Sequence, residues 1–65
     1  MVTRVEEMSA NVLHVEIPSE WAPLGRSMMF RYAERVAEAA TLDPAWRASR
    51  ADQVDENTIR VKLAR

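Results

Sequence analysis

His14 and Glu16 are the one pair of side chains in this chain whose types and spacing suggest proton transfer. They stand two residues apart in Val12-Leu13-His14-Val15-Glu16-Ile17, so on a strand they share a face. A histidine beside a carboxylate is the minimum equipment for general acid–base work. The sequence places no serine, cysteine or second carboxylate to complete such a site. Glu16 has a simpler expected role as a cross-strand charge partner of Arg60 or Lys62. No catalytic residue is assigned, and the chain is not expected to be an enzyme.

Other site chemistries fail on residue count. Gly25 is the only glycine, so no glycine-rich phosphate cradle is expected. There is no cysteine, which removes disulfides and thiolate zinc sites. One histidine with dispersed carboxylates makes a poor metal site. No metal and no cofactor are expected.

Arginine is the remaining chemically distinctive residue. Arg26, Arg31, Arg35, Arg47 and Arg50 fall between residues 25 and 50, against Glu34, Glu38 and Asp43. Residues 1–24 are acidic, with Arg4 against Glu6, Glu7, Glu16 and Glu20. The whole chain is close to neutral, at −1, which suits neither a strongly basic nucleic-acid binder nor an acidic DNA mimic. Glu34 and Glu38 interrupt the arginines, so a solvated helix face with Arg31–Glu34 and Arg35–Glu38 contacts is expected.

Sixty-five residues make one domain, spanning 1–65, near the lower limit for a self-sufficient core. Self-association would add buried area, so a homodimer is expected. No apolar run is long enough to span a membrane. The N-terminal residues lack the basic start and apolar stretch of a secretory signal. A cytoplasmic protein is the expectation.

Periodicity predicts an α+β fold. Leu13, Val15 and Ile17 alternate with His14 and Glu16, and Pro18 ends that strand. Ile59, Val61 and Leu63 alternate with Arg60 and Lys62 in a second strand over Thr58 to Ala64. Residues 2–7 alternate weakly, and a turn at Ser9-Ala10-Asn11 would make them a hairpin with the next strand. A frayed leader fits the same residues. Between the strands a main helix is predicted over about 23–41, with Pro23 in its first turn. Its expected core stripe is Met28, Met29, Tyr32, Val36, Ala39 and Ala40. Asp43-Pro44 is a helix-start signal, so a short second helix is predicted over about 44–51. The expected sheet has two or three strands, in the order β-(β)-α-α-β, covered on one face. The expected core is Leu13, Val15, Ile17, Met28, Tyr32, Val36, Ile59, Val61 and Leu63.

Phe30 lies off that stripe. Either the short helix carrying Trp46 folds over it, or it anchors an interface, where aromatics and arginines are enriched. Phe30, Arg26 and Arg31, extended by Trp46, are the candidate partner-binding residues. The functional expectation is a non-enzymatic module that inhibits or adapts another protein by covering its surface. Small anti-defence proteins of phages and mobile elements, including anti-CRISPR proteins, share this general profile. The alternative comes from Val15 through Ile17-Pro18 to Glu20 followed by a helix. That stretch resembles the start of ribbon-helix-helix repressors and antitoxins. The resemblance implies a dimeric DNA-binding regulator whose first strand, with His14 and Glu16 outward, enters the major groove.

Overall fold

A computed structural model describes residues 4–65. Strands β1 (Arg4–Glu7) and β2 (Val12–Pro18) form the expected hairpin, and Val2 and Thr3 lie outside the described residues. A 3₁₀ segment, Ser19–Leu24, leads into helix α1 (Arg26–Thr41). Strands β3 (Arg47–Asp55) and β4 (Thr58–Ala64) close the fold. The four strands make one antiparallel sheet in the order β1-β2-β4-β3. Among the described residues no helix is long and apolar enough to cross a membrane.

The two strands with unbroken alternation take the centre. Leu13 pairs Leu63, Val15 pairs Val61 and Ile17 pairs Ile59, and all six are buried. These rows put each apolar side chain directly opposite another. Each buried side chain of this size contributes roughly 1.5–3 kcal/mol. Hydrogen bonding to β1 and β4 occupies both edges of β2, so β2 has no edge left for a two-chain ribbon.

Helix α1 begins at Arg26, three residues later than expected, because Pro23 sits inside the 3₁₀ segment. Gly25 turns the chain between them at φ 91°. A Cβ there would meet no atom within 4 Å, so positive φ, not crowding, is what favours glycine. The buried stripe is Met29, Ala33 and Ala37. It is rotated by about 80° from the predicted one, taking 100° per residue. Met28 is 52 % exposed, and Ala39 and Ala40 are exposed, so these three leave the predicted stripe. Tyr32 and Val36 are half-buried and pack on the edge of the core. The reason is close approach: Ala33 and Ala37 let the helix sit low over the large residues of the sheet.

The predicted second helix is absent, and most of its residues belong to β3. Asp43 Oδ1 does accept the Ala45 N–H at 2.9 Å, the same bond that would open a helix. Here it closes a tight turn. The helix-like spacing along β3 has a specific cause. Its register against β4 shifts between Ala48 and Arg50, so Ala48 and Ala51 both pack on the core although three residues apart. A β-bulge thereby imitates helical spacing. A second shift lies between Gln53 and Asp55, next to the Glu56-Asn57 turn.

Trp46 enters β3 from the core. It is 2 % exposed, and its Nε1–H donates to Thr41 Oγ1 at 2.8 Å. Thr41 Oγ1–H in turn donates to the Ala37 carbonyl at 2.8 Å. The Arg65 guanidinium covers the indole, 4.5 Å from the ring centroid. This is the large residue that fills the space beside the alanine face of α1.

Candidate functional site

Along α1, Glu34 points toward β3. Its Oε2 accepts the Ala48 N–H at 2.9 Å, tying the helix to the bulged strand. The expected Arg31–Glu34 contact is therefore replaced by a carboxylate–backbone bond. Arg31, Arg35 and Glu38 are exposed and form no ion pair among the described residues. They wall an open groove of about 570 Å³ together with Glu34, Pro44, Trp46 and Arg47.

Arg47 is the preorganised member of this groove. Its Nη1 donates to the Pro44 carbonyl at 2.8 Å and to the Trp46 carbonyl at 2.7 Å. Two backbone oxygens thus hold one side of the guanidinium, which lowers the side-chain entropy a partner would have to remove. The groove holds three guanidinium groups and two carboxylates, and Glu34 is already bonded to the backbone. Such a surface suits carboxylates of another molecule, which arginine binds in a fork.

The predicted site residues divide. Arg31 stands in the groove, and Trp46 lines it only as part of the core. At 2 % exposure Trp46 supports the groove from beneath. Phe30 is half-buried, packs against the core and is not among the residues that line the groove. Arg26 covers its ring at 5.4 Å from the centroid. An exposed stack of this kind stabilises by roughly 0.5–1 kcal/mol. The packing of Phe30 comes from the rotation of α1, without any second helix over it. Arg35 and Arg47 complete the groove. The four-residue spacing of Arg31 and Arg35 was visible in the sequence, whereas Arg47 reaches them only because β3 is a strand.

In the His14–Glu16 pair the carboxylate is taken up by a cation from the neighbouring strand. Glu16 Oε2 accepts from Arg60 Nη2 at 2.9 Å and from Nε at 3.3 Å, the cross-strand contact expected from the sequence. His14 stands in register between Glu6 and Lys62 on the face of the sheet away from α1. Two aspartates are held below the usual carboxylate range. For Asp43 the chief cause is the Ala45 N–H, followed by Arg65; for Asp52 it is the hydrogen bond from Arg50. Both are ion-pair members of the surface, Asp52 exposed and Asp43 half-buried. Among the described residues no group of three or more His, Cys, Asp or Glu side chains lies together in a metal-binding arrangement.

Searches for relatives found no significant match to the chain among family models, curated proteins or solved structures.

Proposed function

We propose that this chain is a non-enzymatic protein-binding module, a small inhibitor or adaptor that covers a partner's surface. It docks through the arginine groove between α1 and the start of β3. The supporting observation is that, among the described residues, Arg31 and Arg35 have no ion partner, while backbone carbonyls hold Arg47 beside them. Folding does not require these guanidinium groups to meet in one groove. Binding a carboxylate-bearing protein surface would. Such occlusion is the working mode of the small anti-defence proteins of phages and mobile elements. That comparison is a likeness of size and composition only.

The test is capture from the natural host with wild-type protein and with an Arg31→Glu/Arg35→Glu variant in parallel. A protein retained by the first and lost by the second, with an unchanged melting curve for the variant, supports the reading. Retention of the same protein by both overturns the groove assignment. Tight duplex-DNA binding that weakens steeply with salt would favour the regulator instead, because neutralised phosphates release counterions.

A further inference from the structure

The two outer edges of the sheet are unlike. The β3 edge is bulged twice and carries Arg47, Arg50, Asp52 and Asp55, features that discourage strand addition. The β1 edge is short, and its register against β2 is unbroken from Arg4 to Glu7. Its backbone groups without a partner among the described residues can be identified. Met8 N–H donates to the Val12 carbonyl at 2.9 Å, and Met8 and Val12 continue the register of Glu6 with His14 and Arg4 with Glu16. Hydrogen-bonded pairs alternate in an antiparallel ladder, so Arg4 and Glu6 direct their backbone groups at β2. Val5 and Glu7 direct theirs outward.

We propose that two copies of the chain join through β1, antiparallel about a two-fold axis at Val5. Only residue-centred registers keep the faces of a continuous sheet matched across such an axis. Centring on Arg4, Glu6 or Glu7 sets like charges directly opposite each other. Centring on Val5 uses its outward N–H and C=O for two intermolecular hydrogen bonds. It also sets Arg4 opposite the second copy's Glu6, and Glu6 opposite the second copy's Arg4, so the exposed Arg4–Glu6 ion pair of each copy, at 3.3 Å, joins a cluster of four alternating charges. Those two pairs fall at the non-hydrogen-bonded positions, where side chains stand closest.

The helix side supplies apolar area beside the same edge. Glu34 faces β3, so Tyr32, about 200° around the helix at 100° per residue, faces the opposite flank. Trp21 packs edge-on against Tyr32, with ring centroids 4.7 Å apart. Met28 shares that flank and is 52 % exposed, and Leu24 is 57 % exposed in the preceding segment. Val5 already packs against the core from β1. A sheet continued past β1 would extend beneath this flank. The bulged β3 edges would then terminate the assembly, giving a closed dimer and not a fibre.

Sedimentation equilibrium of the full chain tests the association. The expected result is a mass rising toward twice that of the chain between about 1 and about 200 μM, as mass action requires. A monomer throughout overturns the proposal. Charge reversal tests the register. Glu6→Arg should weaken the dimer about tenfold by opposing guanidinium groups, and Arg4→Glu/Glu6→Arg should restore it. Failure of a folded double variant to regain the dimer overturns the register. Val5→Cys is a second probe, since the described residues contain no other thiol. A Val5-centred pair brings the two Cα atoms to about 5.5 Å, within disulfide reach, so mild oxidation should yield a covalent dimer. A dimer that does not cross-link would place the contact elsewhere.

Discussion

The β3 edge and the β1 edge cap the same sheet with different physics. At β3 the strand is long, twice bulged, and fastened to α1 by Trp46 and by the Glu34–Ala48 bond. At β1 four residues pair regularly with β2, and only Val5 among them packs against the core. The first edge spends its irregularity on shape: the bulge lets Ala48 and Ala51 both face inward, and the turn before it aims Arg47 beside Arg31 and Arg35. The second keeps a plain ladder with outward backbone groups. One edge is thus built to present side chains, the other to present main chain.

The largest break in that comparison should come from Trp46→Ala. It empties the space between the alanine face of α1 and the start of β3, and strips Thr41 of a hydrogen-bond donor. A loss of about 3–5 kcal/mol is expected from chemical denaturation, the usual cost of truncating a buried aromatic. Val5→Ala, measured the same way, should cost less than half as much, because Val5 is only partly buried. Equal losses would mean that the two edges contribute alike to the core.

A smaller effect isolates the polar fastening. Glu34→Ala removes the acceptor for the Ala48 N–H while leaving the sheet pairing intact. The expected loss is about 1.5 kcal/mol, the lower end for a bond to a charged group, because water can reach the freed amide. Glu34→Gln keeps an acceptor and should lose less. If both variants match wild type in denaturant midpoint, α1 is held to β3 by Trp46 and the alanines alone.

The same contrast explains what the sequence made legible. β2 and β4 were readable because one face is buried along their whole length, so period two survives unbroken at Leu13, Val15, Ile17, Ile59, Val61 and Leu63. β3 was not, since its bulges shift parity and Asp43-Pro44 carries the same local signal in a turn as at a helix start. Hydrophobicity points to the wrong face of α1 because Met28, Tyr32 and Val36 outweigh Ala33 and Ala37, while the residues buried against the sheet are Met29 and the small Ala33 and Ala37. Of the site, Arg31 was legible on its own helix. The groove was not, because it depends on Glu34 turning inward and on Arg47 arriving from a strand the periodicity concealed.

The smallest expected effect has the opposite sign. Leu42 ends α1 in the left-handed conformation, with φ 59°, and its N–H donates to the Glu38 carbonyl at 2.7 Å. Glycine or asparagine usually holds this position, because a Cβ is costly there. Leu42 is also 89 % exposed, so no core contact compensates. Leu42→Gly should therefore stabilise the fold by about 0.5–1 kcal/mol, the relief of strain exceeding glycine's extra chain entropy. Thermal unfolding of wild type and variant at one fixed protein concentration checks the sign. Capture of the partner by the same variant then decides what the leucine is for. Leu42 lies two residues from Pro44 in the groove wall. A more stable variant with weakened capture would extend the docking surface over the end of α1, with backbone strain retained for binding. A more stable variant with unchanged capture would confine that surface to the arginines, and would leave Leu42 as a cost of the β3 side that folding simply tolerates.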